Sequence, residues 1–213
     1  MGRTSDARER LMSAVAELFW TGSYDSTTID QICQKAVVKK GSFYYFFTDK
    51  AALAEAALDV EWEKYRPHLD TIFSASVPPL ERIRRHCEFS LKEQADLKAA
   101  HGCVLGCPLC TLGTEISTHE KGLQKKVQEI MAYGLKYIET AVRDAHAAGL
   151  IHAPNAKAKA NILHAYHLGL LTQARIQNDL NVLSALTGVT FELLGAEQPD
   201  AKPLKRRKKA VRP

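Results

Sequence analysis

Two clusters of side chains in this sequence could do chemistry. The first is Thr27-Thr28, followed by Lys39-Lys40-Gly41-Ser42, Tyr44-Tyr45 and Lys50. Ammonium, hydroxyl and phenol groups gathered around a glycine suit contact with phosphate oxygens and base edges in the major groove of DNA. Lys40, Tyr44, Tyr45 and Lys50 suit phosphate, with Thr27 or Thr28 adding a hydroxyl. Lys39 and Ser42 are placed for base edges, and Gly41 allows close approach. The second cluster is Cys103, Cys107 and Cys110, with His101 beside them. On one helix the three thiols would line one face. Such cysteines can fill a pocket wall as small hydrophobes, react as thiolates with oxidants or electrophiles, or join His101 as soft metal ligands. All three readings stay open, although four ligands this close in sequence wrap poorly around one ion. Cys107-Pro108-Leu109-Cys110 also has redox-enzyme spacing, but no βαβ pattern surrounds it.

The first cluster needs two short helices and a tight turn to hold it. Ile29, Ile32, Cys33 and Ala36 fall at i, i+3, i+4 and i+7, which predicts a helix over 28–36 with one apolar face. Thr27 with Asp30 three residues on reads as its capping box. A second helix over 39–47 turns Phe43, Phe46 and Phe47 inward. An amphipathic helix over 3–21, with Leu11, Val15, Leu18 and Phe19 on one face and Gly22 closing it, would pack over the pair. A longer helix begins near Lys50, capped by Thr48 or Asp49, and runs to about residue 73. Lys50 lies in its first turn, where the helix dipole also favours phosphate.

In order, these parts resemble the N-terminal signature of the TetR family of bacterial repressors. The matching positions are Gly22, Thr27-Thr28, Ile32, Ala36, Lys40-Gly41, Phe43-Tyr44, Phe47, Lys50 and Leu53. The resemblance implies an all-α fold: a three-helix helix-turn-helix DNA-binding domain over 1–49, then a helical ligand-binding and dimerisation domain over 50–196. It also implies that the third helix lies in the major groove and that the last two helices, about 155–194, pair in a homodimer. Two positions depart from the pattern. Val37 stands where the family usually has glycine in the turn, and Phe46 where it usually has His or Tyr. A β-branched residue tolerates positive φ poorly, so Val37 predicts a slightly different turn.

The remainder of the chain reads as helices over 80–98, 119–148, 155–178 and 180–194. Pro78-Pro79 marks a boundary, and a broken helix covers the cysteine segment. No period-two alternation or internal repeat is present. Apolar content of 46% against 25% charged residues fits a globular protein. No stretch has the length of a membrane span, and the first 20 residues lack a secretory pattern, so a cytoplasmic location with reduced thiols is expected.

The net charge of +5 is local. Seven Lys and Arg and no acid lie between residues 201 and 213, which leaves the first 200 residues at a net −2. Residues 197–213 therefore read as a basic, solvated tail that adds salt-sensitive phosphate attraction. No nucleophile triad, paired carboxylate or phosphate loop has defensible spacing, so an enzyme is not expected, and no cofactor is called for. The expectation is a one-component regulator, most simply a repressor on a pseudo-palindromic operator. A small-molecule or thiol-reactive effector would release it. The alternative is a non-specific DNA binder driven by the tail. Besides the cysteines, Trp62, Tyr65, Tyr133, Tyr137, His164 and His167 could line an effector site. The Gly102-Cys103 segment resembles its counterpart in the electrophile-detecting members of the family.

Overall fold

The computed structural model describes residues 2–199 of the 213-residue chain. All the regular structure among the described residues is helical: α1 (Gly2–Thr21), α2 (Ile29–Ala36), α3 (Lys40–Phe46), α4 (Lys50–Ile72), α5 (Pro79–His101), α6 (Pro108–Ile116), α7 (Lys121–Ala147), α8 (Ala156–Gln177), a 3₁₀ segment (Leu180–Ala185) and α9 (Leu186–Leu194). The basic residues from 202 onward lie outside the described residues.

The helix-turn-helix forms where its pattern predicts, with its cap shifted by one residue. Thr28, not Thr27, caps α2: its hydroxyl accepts from the Gln31 N–H at 3.2 Å, and the Gln31 side chain accepts from the Thr28 N–H at 2.7 Å. Thr27 cannot serve, because it is buried and its hydroxyl donates to the Ser23 carbonyl at 2.6 Å. The altered turn expected at Val37 does not occur. Val37 takes the left-handed conformation, φ 54 and ψ 47, and closes α2 through its N–H much as glycine would. Nothing in the interior recovers the strain, since Val37 is 80% exposed.

Two long shafts unite the molecule. One apolar core contains Leu11, Val15 and Phe19 of α1, Ile32 and Ala36 of α2 and Phe43 of α3. The same core holds Leu53 and Ala57 of α4, Leu112 and Ile116 of α6, and Leu123 and Val127 of α7. The first three helices thus share their interior with the second region. A second core lies at the far ends of the shafts: Leu69 and Phe73 meet Ile138, Ala141, Val142, Leu163, Phe191 and Leu194. With 27 residues, α7 is about 40 Å long and borders both cores. Asp49 caps α4 by accepting the Ala52 N–H at 2.8 Å.

The single helix expected over 180–194 is a 3₁₀ segment followed by α9. Asp179 accepts the Asn181 N–H at 2.9 Å to start the tighter turn, and Leu183 is drawn inward against Val104, Leu171 and Ala174. The cysteines do not share a helix face either. Gly102, at φ 75, ends α5; Cys103 lies in the connecting loop; Cys107 is the N-cap of α6, and Cys110 is in its first turn.

Val37→Gly is expected to raise stability by about 1 kcal/mol, because a β-branched side chain at positive φ costs roughly 1–2 kcal/mol and glycine's extra unfolded-state freedom returns part of it. A urea midpoint that falls on substitution would show that the exposed side chain contributes more than its strain costs. A pH effect follows from the histidines between α5 and α8. His86 and His167 have ring centroids 5.0 Å apart, and burial lowers His167 from 6.5 to about 4. The folded state therefore binds fewer protons than the unfolded chain below pH 6.5. The contribution of neutral His167 is complete above that value and is lost as pH falls towards 4, by roughly 3 kcal/mol in all. Unfolding followed from pH 7.5 to 4.5 should show a shallower acid loss in His167→Gln than in the parent; parallel curves would remove His167 as the cause.

Candidate DNA-contacting face and sensor segment

The residues chosen for DNA contact divide into an outward and an inward set. Tyr44 is 54% and Tyr45 74% exposed, and both project from α3. Lys39, Lys40 and Gly41 are exposed at its N-terminal end, with Ser42 half-buried behind them. Lys39 precedes the helix without making a side-chain cap. Thr28 is exposed at the start of α2. Phe43 is fully buried and Phe46 partly so, which anchors the other face of α3. Lys40 is held by Asp30 at 2.8 Å, and that hydrogen bond raises its pKa. A phosphate would have to compete with this carboxylate.

Thr27 and Lys50 face inward. The Lys50 ammonium donates to the carbonyls of Tyr24 at 2.6 Å and Thr27 at 3.1 Å, and it lies 4.0 Å from the centre of the Tyr24 ring. It ties the start of α4 to the loop before α2. Gly41 has no such internal employment: a Cβ built there meets nothing within 4 Å. Glycine in a helix costs about 0.5–1 kcal/mol against alanine, and no neighbour within this chain accounts for it.

The broken helix of the cysteine segment connects this face to the rest through α6. Glu115 of α6 accepts from the backbone N–H of Tyr24 at 2.9 Å and of Asp25 at 2.8 Å, and from the Ser23 hydroxyl. Glu120 accepts from the buried Tyr24 phenol at 2.8 Å, which with burial lifts that phenol's pKa. At the other end of α6, the Trp20 indole donates to the carbonyls of Leu105 and Gly106, each at 3.2 Å. Arg175 of α8 reaches the Leu105 carbonyl at 2.6 Å, the Trp20 carbonyl at 3.0 Å and the Thr111 hydroxyl at 3.1 Å. Gln94 brackets Gly106, accepting its N–H at 2.8 Å and donating to its carbonyl at 3.2 Å. Gly106 has φ 65, and a Cβ on it would stand 3.1 Å from the Leu171 carbonyl. A side chain here would press on that carbonyl from a backbone conformation that favours glycine. Partners up to 155 positions apart left no local signal to read.

The residues singled out for sensing fall into separate places. Cys107 and Cys110 are half-buried at the start of α6, as its N-cap and its third residue. The neighbouring Cys110 side chain and burial push the Cys107 thiol up, while Cys107 lowers Cys110 against the opposing effect of burial. Tyr65 packs on Phe89 at 5.7 Å between α4 and α5; burial raises its phenol, with Glu93 and Cys107 adding to the effect. Burial also pushes Glu93 up to about 7. Trp62 and Tyr133, 5.8 Å apart, line an open groove between α4 and α7 together with Tyr137, whose phenol donates to Asp70. His164 is half-buried, while His167 borders a gap of about 10 Å³ with His86, Cys87 and Thr190, too little space for more than a water. Among the described residues, no three His, Cys, Asp or Glu side chains gather as a metal group, and no helix is long and apolar enough to cross a membrane.

Comparison with known proteins agrees with this architecture. A 26% identical HTH-type transcriptional regulator encoded in the lacX 3′ region of Lactococcus lactis aligns over 89% of this chain and 95% of its own. The HTH-type transcriptional repressor DhaR of Mycobacterium sp. is 25% identical over 91% of this chain and 94% of its own. The repressor NemR of Escherichia coli is 24% identical over 84% of this chain and 88% of its own. The crystal structure of reduced NemR superposes with a TM-score of 0.78 at 21% identity, covering 92% of this chain and all of that one. Residues 11–57 match the model of the tetR family of bacterial regulatory proteins, and residues 79–187, more than half of the chain, match the tetracyclin repressor-like C-terminal domain. The chain is a transcriptional regulator that belongs to the TetR family.

Proposed function

We propose that this regulator is a repressor that binds a pseudo-palindromic operator as a homodimer. A change in its second region, brought by a small molecule or by thiol modification, would release it. The observation that carries the reading is the outward face of α3. Gly41 stands in open space beside Lys39 and Lys40, with Tyr44 and Tyr45 on the following turn. A backbone without side-chain bulk allows the close approach that a major-groove helix needs, while the flanking ammonium and phenol groups reach phosphate. The relatives named as repressors, DhaR and NemR, support the sign of the regulation.

Pairing through α8 and the segments after it is supported by an exposed stripe. Ile162 is 51% and Ile176 77% exposed, and Ala165 and Gly169 lie between them at helical spacing; Gly169 has nothing near it. Large apolar side chains around small ones suit a second helix at close range. A dimer also solves a reading problem. Seven residues of α3 touch few bases, and two copies one helical turn apart can be selective where one cannot. Release follows if the effector favours the state in which the two α3 helices are wrongly spaced. The latch of Glu115 on Ser23–Asp25 supplies a route from α6 to the reading head.

The test is fluorescence anisotropy of the full chain on DNA upstream of its own gene, with scrambled DNA as control. Gly41→Ala is expected to raise thermal stability by about 0.5–1 kcal/mol and to weaken operator binding at least tenfold, about 1.4 kcal/mol. Tyr44→Ala should weaken binding to both DNAs alike, by about 1 kcal/mol. A Gly41→Ala protein that binds as well as the parent would remove α3 from the groove. Equal affinity of the parent for both DNAs, abolished by deleting residues 201–213, would favour the tail-driven reading instead. Ile176→Lys should convert the dimer to a monomer in analytical ultracentrifugation; an unchanged mass would move the interface off α8.

A further inference from the structure

In a capping box, the N-cap side chain bonds the backbone N–H three residues on and that residue's side chain reaches back to the N-cap N–H, so the two side chains lie on the same side of the first turn. At the start of α6 those two positions are both thiols. Cys107 is the N-cap, extended at φ −86 and ψ 120 with no side-chain cap of its own, and Cys110 is the third residue of the nine-residue helix behind Pro108. Both are half-buried and neither is disulfide-bonded. Cys33 and Cys87 are buried in other parts of the fold, and Cys103 lies beyond the Val104–Gly106 crossing.

We propose that Cys107 and Cys110 form a dithiol couple that a hydroperoxide closes into a disulfide, and that closure loosens operator binding. The gating half rests on the repressor reading above; the thiol chemistry does not. Cys110 is the nucleophile. The Cys107 side chain beside it favours its thiolate against the cost of burial. Its sulfur attacks one oxygen of the peroxide, the O–O bond breaks, the alcohol leaves with a proton, and Cys110 becomes a sulfenic acid. The Cys107 thiol then gives up its proton and attacks the Cys110 sulfur, expelling hydroxide as water. The two cysteines lose two electrons and two hydrogens, and the peroxide ends as one alcohol and one water.

Geometry makes the bond consequential. A disulfide requires its Cβ atoms about 4 Å apart and a torsion near 90°, so closure fixes the backbone of Cys107. That residue directly follows Leu105 and Gly106, whose carbonyls accept from Trp20 and Arg175. The Cys107 carbonyl itself accepts from the N–H and the hydroxyl of Thr111, each at 3.1 Å, and that hydroxyl accepts from Arg175. Turning Cys107 therefore pulls on the bonds that hold the end of α1, and on the helix whose Glu115 holds the loop before α2.

The experiment treats the reduced full chain with cumene hydroperoxide, then alkylates the remaining thiols under denaturing conditions and reads intact and peptide masses. Two of the five thiols should be protected and recovered with dithiothreitol. Cys107→Ser should stop at a Cys110 sulfenic acid that dimedone traps. Cys110→Ser should slow thiol loss at least tenfold, and Cys103→Ser should leave the protected pair unchanged. Protection that survives Cys110→Ser, that requires Cys103, or that appears only as a cross-linked pair of chains overturns the couple. In parallel, operator affinity of the oxidised protein should drop at least tenfold and return with dithiothreitol. A disulfide that forms without changing affinity overturns the gating. A reduced protein that does not distinguish operator from scrambled DNA sinks the repressor reading and leaves the couple standing on its masses.

Discussion

The arrangement of this molecule depends on how the chain crosses itself at Leu105 and Gly106. A loop between helices ordinarily satisfies its polar backbone with water; here it is packed under α8 and must find partners inside the protein. Trp20, Gln94 and Arg175 provide them, with Asn178 holding the Val104 N–H at 2.9 Å. The partners come from α1, α5 and α8 and its cap, so a few hydrogen bonds join the N-terminal helices, the middle of the helical body and the proposed dimer helix. Each is worth about 1 kcal/mol net, yet a buried backbone carbonyl left without its donor costs more than that. Any rearrangement of the crossing must therefore move all its partners together.

For the proposed release, α6 offers a more direct route than α4. The sequence suggests α4 as the lever because it runs continuously from the reading head into the body. In the structure α4 also carries Pro67, which removes the N–H that would otherwise bond to the Glu63 carbonyl and so weakens the shaft beyond its middle. By contrast α6 is short and held at both ends: the crossing at its start, Glu115 and Glu120 near its finish. A displacement at Cys107 has only nine residues to traverse before it reaches the loop that positions α2. The coupling is also local in charge. Neighbouring donors hold the Glu115 carboxyl below its usual range against the cost of burial, so it stays an acceptor.

What the sequence made legible was whatever local chemistry decides. The helix-turn-helix, the approximate helix ends at Gly149 and Gly195, and the Asp49 cap follow from periodicity and capping, which act over a few residues. The cap expected at Thr27 falls instead on Thr28, because burial ties the Thr27 hydroxyl to the Ser23 carbonyl. Lys50 was read from its place in a first turn, whereas its partner carbonyls lie more than twenty residues back in sequence. The same distance hid Trp20, Gln94, Glu115 and Arg175, none of which has a motif around it. The break at residue 185 escaped notice because a 3₁₀ segment and an α-helix share an apolar pattern over so short a run.

The stretch from Val37 to Tyr45 concentrates choices that stability alone would not make. Val37 holds a left-handed conformation with its side chain in solvent, Gly41 occupies a helix without a steric reason, and two tyrosines stand largely exposed. Elsewhere the chain obeys the usual rules, with glycine at the left-handed ends of α5 and α9 and phenylalanine in the core. Local departures that the fold does not explain gather where a surface meets something else. Exposure of tyrosine beside lysine, on a face with little acid besides Asp30, fits a polyanion better than a protein core. The −2 charge of the first 200 residues bears on the proposed DNA contact: with no general positive field, the attraction would fall to this face and the tail, and the selectivity to the geometry of α3.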